Sequence, residues 1–416
     1  MGDIKMTAPL EGLRVIEFGN AMAGPYCGMT LADYGAETIK IERIDVGDDS
    51  RMWSPHFHGA LAAYFASANR NKKSLAVDLK SPEGVAVIRK LIAQSDVVID
   101  NYRLGALARA GLDYESLSKE NPRLIYVSIS GFGASGPLAD TPANDLRMQA
   151  YAGGMSITGY PDGDPVKMGI SVCDVGAGML ATIGVLMALQ VRNQTGKGQR
   201  VDTSLLEGQI SMLSYHITRY FASGVVPKGG GSGGLANPTY RAYRGSDGWF
   251  VISCFNDRMW RDLCDALDRK EWIEDPRFLT SSLRSENRET LMTMIQEILC
   301  EKPKAYWIER LEARSVPCSP INTIAEMVEQ EQVHARDMIV DVELDGLGPM
   351  KMGGLPLKFS ETAGSIRSHP PRLGQHTEEI LRSLDMDEQS ISQLAEGKQI
   401  GLDYGWVLKG TPAAEG

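Results

Sequence analysis

Cysteine is sparse and dispersed. Six residues, Cys27, Cys173, Cys254, Cys264, Cys300 and Cys318, are spread over 416 positions with no C-x-x-C pair. That spacing argues against a disulfide framework or a cysteine zinc site and fits reduced thiols in a cytosolic enzyme. Positive charge is also short: 43 Lys and Arg against 53 Asp and Glu leave a formal charge of −10. Nucleic acid and anionic membranes are therefore poor partners for the molecule as a whole, although a local basic pocket for a phosphorylated ligand remains open. The longest apolar stretch, Met179 to Val191, is too short for a bilayer and contains Thr182, Gly184 and Gln190. No charged-then-apolar leader precedes LEGLRVIEFG, so the expectation is a cytoplasmic protein with no membrane partner.

Several chemical signatures are missing too. His56 and His58 form the only H-x-H, the other four histidines stand alone, and two histidines do not make a metal site. No G-x-S-x-G or Cys–His arrangement has the local support that a nucleophile elbow needs. After the first apolar run, Gly19 and Gly24 are separated by four residues, which breaks the G-x-G-x-x-G dinucleotide spacing, although Glu42 stands where a ribose-binding acid would.

What is present is alternation. LRVIEF, AETIKIER, KSLAVDL, DVVIDNY and RLIYVSIS read as strands, with helix-period segments such as GPYCGMTLADYG and SPEGVAVIRKLIAQS between them. Strand and helix in turn predict βαβ units, a parallel sheet, and a ligand beyond the carboxyl ends of the strands. A Gly-rich break, Pro227 to Tyr240, leads into a hairpin pattern and amphipathic helices, and the chain turns β-rich again after about residue 330. The expected fold is α/β: a Rossmann-like large domain from residues 1–220 and 330–416, with a smaller α+β domain inserted at 225–325.

One carboxylate is conspicuous. Asp174 lies in SVCDVGAGM at the mouth of an apolar helix. Asp is a favoured helix N-cap, but the third position on is Ala177 rather than the Glu or Gln of a capping box. Gly176 and Gly178 each cost up to about 1 kcal/mol of helix stability relative to alanine, and leave room for a ligand or another backbone. A helix N-terminus also keeps a carboxylate ionised and ready to act as a nucleophile. Cap and nucleophile both stand on these residues alone.

The strings PLEGLRVIEFGNAMAGP, LADYGAETIKIERIDVGDDSR, NRNKKSLAVDLKSPEG, DVVIDNYRLGALARAGLDYESL, NPRLIYVSISGFGASGP, CDVGAGMLATIGVLMAL, QTGKGQRVDTSLLEG and PPRLGQHTEEIL resemble the class III CoA-transferases, of the crotonobetainyl-CoA/formyl-CoA transferase group. The resemblance implies transfer of CoA from an acyl-CoA to a free carboxylic acid, with no metal and no bound cofactor besides the CoA of the substrate. It implies subunits interlocked as a homodimer, or as a hetero-oligomer with a paralogue. Asp174 falls at the family's nucleophile. It would form an aspartyl–acyl anhydride with release of CoA thiolate, then an aspartyl-CoA thioester from which the acceptor takes CoA. Matching positions imply Arg43, Lys73, Lys80, Arg103 and Arg109 for the CoA phosphates, and Asn101 and Tyr102 along the adenine or pantetheine path. The backbone N–H groups of Ala21–Met22 and of the Gly229–Gly234 loop are the implied oxyanion donors. Gly230, Gly231, Gly233 and Gly234 form a lid against water, unless the loop is a plain linker.

Two departures bear on substrate. Racemases on this fold carry Gly-His-Asp where this chain has Ala143-Asn144-Asp145, so two-base proton transfer lacks its imidazole; Asp145 stays as a contact to the active site. Met22 replaces the Gln of formyl-CoA transferases, which favours a larger acid. Arg147 and Arg241 are then candidates for the second carboxylate of a dicarboxylic acid, with succinyl-CoA as a candidate donor. The rivals are an α-methylacyl-CoA racemase and a non-catalytic partner subunit.

Overall fold

The computed structural model describes residues 7–234 and 237–406. The chain divides into two compact units, one comprising Met1–Ala152, Gly169–Ser214 and Glu331–Gly416, the other Gly153–Met168 and Tyr215–Gln330.

The first unit is built on six parallel strands: β1 (Arg14–Phe18), β2 (Glu37–Glu42), β3 (Lys72–Val77), β4 (Val97–Asp100), β5 (Ile125–Ser130) and β6 (Arg200–Ser204). Their order across the sheet is 3-2-1-4-5-6, and the short strand Ile400–Gly401 pairs antiparallel with β3 at one edge. Val15 faces Thr38 on one side and Val97 on the other, so β1 is the point where the order reverses. Such a switch opens a crevice beyond the carboxyl ends of the strands.

The strands are apolar on both faces, as a parallel sheet covered by helices requires. On one face Ile16, Phe18, Ile39, Ile41 and Val98 share a core with Ile88, Leu91, Ile380 and Leu381. On the other, Val15, Val97, Ile99 and Val127 pack with Cys27, Leu31, Ala177, Ala181 and Val185. Buried charges interrupt this apolar pattern: Glu17 in β1, Lys40 and Glu42 in β2 and Lys72 in β3, each 3% exposed or less.

Local chemistry fixes the helices. Helix α1 (Ala23–Asp33) follows β1 directly. Helix α2 (Pro82–Ala93) starts where Ser81 Oγ accepts from the Gly84 N–H and Pro82 fills the first position. In α3 (Asp145–Tyr151) Asn144 is the cap, accepting from the Arg147 N–H. Helix α4 (Val172–Thr195) ends on Gly196 at φ 74°, and α5 (Leu205–Ser223) follows β6.

At 24 residues, α4 exceeds the apolar run that marks it in the sequence, and its length and composition would suit a membrane span. Its packing shows a different use. The buried face is a stripe of small residues (Cys173, Gly176, Ala177, Gly178, Ala181) that lets α1 approach closely, while Met179, Ile183, Leu186 and Met187 face outward. A Cβ at Gly178 would stand 2.7 Å from the Ala23 carbonyl oxygen, and one at Gly176 would meet the Met212 methyl at 2.4 Å. Of the two explanations for these glycines, close backbone approach is the one the packing supplies.

In the second unit, Tyr240–Gly245, Gly248–Ser253 and Cys318–Pro320 form an antiparallel sheet. Its helices close a core around Trp260, Trp272 and Phe278. Residues 153–168, placed by sequence in the large domain, belong here because the Gly231 N–H donates to the Gly159 carbonyl at 2.9 Å.

Gly178→Ala is expected to destabilise the protein by on the order of 1–3 kcal/mol through the clash with Ala23, despite alanine's better helix propensity. Thermal unfolding measures this, and an unchanged or raised Tm would contradict the packing described.

Candidate active site

The turn Gly19–Met22, between β1 and α1, is held from three directions. Asn101, just after β4, accepts from the Asn20 N–H at 2.9 Å and donates to the Asn20 carbonyl at 3.1 Å. Asp48 accepts from the Ala21 N–H at 3.1 and 3.2 Å. Lys40 Nζ donates to the Gly19 carbonyl at 2.7 Å. Under these anchors Ala21 adopts φ 63°, a left-handed conformation rare without glycine. Met22 then starts α1 with no side-chain cap.

Asp174 lies in the first turn of α4, not at its cap, which is Ser171. The start of that helix is served from α3: Asp145 accepts from the Cys173 N–H at 2.9 Å and from Gln149 Nε2 at 2.6 Å. Gln149 also donates to the Ile170 carbonyl at 3.2 Å. Asp174 is thus not the capping residue, and it lies in the positive end of the helix dipole, which favours its ionised form. Tyr64 shares the site. Burial raises its hydroxyl above the usual range and the charge of Asp174 raises it further, while a hydrogen bond with Ser171 pulls the other way. Trp53 packs edge-on against Tyr64 with ring centres 4.8 Å apart.

Beside the turn, a cleft of about 1010 Å³ opens at the carboxyl ends of β1, β2 and β3. Arg43, Lys80 and Arg109 put positive charge on its walls, and Tyr102, Leu79 and Ile44 supply apolar surface. The cleft sits where the sheet topology predicts a ligand, and its volume is at the upper end for small-molecule sites.

A sequence model of CoA-transferase family III matches residues 10–377. The chain is 35% identical over 393 residues to succinyl-CoA:glutarate CoA-transferase of Mus musculus, spanning 94% of this chain and 90% of that one. It is 37% identical over 388 residues to succinate–glutarate CoA-transferase of Agrobacterium fabrum, spanning 92% and 97%. The crystal structure of a CAIB/BAIF family protein from Brucella suis superposes with a TM-score of 0.82 at 38% identity, covering 91% of this chain and all of that one. This chain is a class III CoA-transferase.

In this transferase the sequence-chosen residues separate into groups. Arg43, Lys80, Tyr102 and Arg109 line one cleft. Arg103 is exposed and outside that lining. Lys73 stands near the amino end of β3, ion-paired to Glu37 at 2.9 Å and Glu379 at 2.6 Å, away from the cleft. Adjacent strand residues face opposite sides, and the neighbouring Lys72 is the enclosed one. Asn101 spends its amide on the turn, and Asp145 spends its carboxylate on α4. The Ala21 N–H, expected as an oxyanion donor, is taken by Asp48. In the Gly-rich loop, the N–H of Gly231 donates to the Gly159 carbonyl, that of Gly234 to the Tyr240 carbonyl, and Gly233 bridges to Arg241. Gly230 immediately precedes the anchored Gly231. Glu42, in the ribose-acid position, is 3% exposed and bound by Arg51 at 2.7 and 2.8 Å. His56 and His58 each direct a ring nitrogen at a backbone carbonyl, those of Arg51 and Pro349.

Tyr64, Trp53, Lys40 and Asp48 were passed over in the sequence. Lys40 and Glu17 did leave a signal, being charges inside strands otherwise apolar on both faces.

At the end of β4, Asp100 accepts from the Tyr102 N–H at 2.9 Å and the Tyr126 hydroxyl at 3.0 Å. Burial pushes its carboxyl up to about 6 despite these donors. The folded chain thus holds this proton more tightly than the unfolded chain. The resulting stabilisation is complete below about pH 4 and is lost as pH rises through about 6. Asp100→Asn keeps an acceptor oxygen and removes the titration. Its stability relative to wild type is expected to rise by on the order of 2 kcal/mol between about pH 4 and pH 7, as read from urea titrations. A pH-independent difference would contradict the raised value.

Proposed function

We propose that this transferase moves CoA from succinyl-CoA to a dicarboxylic acid of the glutarate class, with Asp174 as covalent carrier. The observation that carries the assignment is the place of Asp174 in the first turn of α4, where Asp145 takes the Cys173 N–H and where the charge of Asp174 acts on the Tyr64 hydroxyl. The donor and acceptor classes follow the named activities of relatives 35–37% identical.

An Asp174 oxygen attacks the thioester carbonyl, the C–S bond breaks, and CoA leaves as thiolate from the mixed anhydride. The thiolate then attacks the aspartyl carbonyl, expelling the donor acid and leaving an aspartyl-CoA thioester. The acceptor carboxylate attacks this thioester to give a second anhydride and thiolate. Attack of that thiolate on the acceptor carbonyl forms the product and restores Asp174. Each step exchanges acyl derivatives of similar reactivity, so no barrier is large. The N–H groups of Met22 and of the uncapped start of α1 are the oxyanion donors in this scheme. The nucleotide end of CoA occupies the β1–β3 cleft, its phosphates facing Arg43, Lys80 and Arg109. Arg147 takes the acceptor's second carboxylate. The outward face of α4, where Met187 is 65% exposed, and of α5, where Phe221 is 80% exposed, is covered by a second copy of the chain in an interlocked homodimer.

A racemase has no support from the residue before Asp145: Asn144 is a helix cap with no imidazole.

Asp174→Ala is expected to lower succinyl-CoA:glutarate transfer by at least about 1000-fold with the fold and CoA binding retained. Hydroxylamine capture during turnover should modify Asp174, as read by peptide mass spectrometry. Near wild-type turnover, or capture at another residue, would remove it as carrier. Arg109→Ala is expected to raise the KM for acyl-CoA about tenfold and to reduce its salt dependence. An unchanged KM would place the phosphates elsewhere.

A further inference from the structure

We propose that Lys40 is a positioning residue for catalysis, holding the Gly19–Met22 turn and through it the start of α1 against Asp174. The proposal rests on Asp174 being the nucleophile.

Lys40 Nζ is enclosed by groups from three parts of the chain: Glu17 Oε1 at 2.9 Å, Asp48 Oδ2 at 2.9 Å and the Gly19 carbonyl at 2.7 Å. With 0% of its side chain exposed, it is no surface ligand for CoA phosphate. Burial opposes its charge, but Asp48, Glu17 and Glu42 outweigh that and hold it protonated. The same neighbourhood acts on Asp48. Burial alone would raise its carboxyl, and Lys40 with the Ser50 donors brings it below the ordinary aspartate value.

One ammonium group thus fixes two peptides of the turn, Gly19 directly and Ala21 through Asp48, while Asn101 clamps the Asn20 between them. The left-handed Ala21 is strained, and it persists because its own N–H and the two residues before it are tied. Simple packing would put an aliphatic residue at position 40, as at the flanking Ile39 and Ile41. A buried ammonium costs several kcal/mol unless well paired, and what it provides here is orientation. That orientation reaches the site through α1, whose Ala23 carbonyl lies against Gly178, one turn beyond Asp174.

The test uses full-length enzyme carrying Lys40→Met with Asp48→Asn, a neutral pair, and Asp48→Asn alone, which leaves Lys40 paired to Glu17. Measured are Tm, CoA affinity by calorimetry, and kcat and KM for succinyl-CoA with glutarate. In the folded double variant, kcat is expected to fall on the order of 100-fold with CoA affinity within about threefold. Adding Ala21→Gly, which takes a positive φ without steric cost, is expected to restore about tenfold of kcat. A merely structural lysine would not give that rescue. If the double variant does not fold, Asp48→Asn alone decides, with a loss of about tenfold expected. A folded double variant, or Asp48→Asn where only that folds, with kcat within about twofold of wild type overturns the proposal. So does a kcat loss in the double variant that Ala21→Gly leaves untouched. Asp174→Ala, assayed in parallel, separates the two ideas: if it stays active, the carrier assignment fails whatever Lys40 does. If it is inactive while the Lys40 and Asp48 variants turn over normally, only the positioning role fails.

Discussion

Two ammonium groups inside the sheet set the terms for everything at its carboxyl end. Lys40 and Lys72 lie on neighbouring strands with Glu17 between them, and none of the three side chains meets solvent. Charges placed there must be neutralised and hydrogen-bonded or the fold pays heavily. The partners recruited are the ones that shape the site. Lys40 takes Gly19 and Asp48. Lys72 takes Glu17 at 2.6 Å, Asn69 at 2.9 Å and the Pro25 carbonyl at 2.8 Å, which pins α1 from its other side. Burial still brings Lys72 down to about 8. Electrostatic necessity inside the sheet is thus converted into geometry at its rim.

Helix α4 solves a second problem. Near its first turn it packs closely on α1, and closeness requires small residues on the shared face. Gly176, Ala177 and Gly178 provide them, and Gly208 of α5 comes within 3.2 Å of the Ala177 nitrogen when given a Cβ. Bulk is displaced to the opposite face, where it gathers as exposed methionine, isoleucine and leucine.

Much of this was legible in the sequence, for identifiable reasons. The strands announced themselves as β-branched runs, and α2 by its Ser81–Pro82 start. Failures came where long-range pairing decides. Lys72 and Lys73 are adjacent and chemically alike, and only the pleat says which is enclosed. Asn101 and Asp145 read as ligand-binding residues in the sequence, yet each is bound to a backbone distant in sequence. Tyr64 belongs to a four-residue helical turn with no periodic signal of its own. The dipeptides were visible and their partners were not.

The strand Ile400–Gly401 on the free edge of β3 has a consequence for how the molecule is made. The central sheet is open along that edge until Ile400–Gly401, more than 300 residues after β3 in the chain, have been made. During synthesis at roughly 5–20 residues per second, β3 is translated early and then waits while the whole of the second unit emerges. An unpaired edge of a partly formed sheet is a template for another chain. The interval between making that edge and sealing it is therefore the period in which the nascent protein is most open to pairing with a neighbour on the same message.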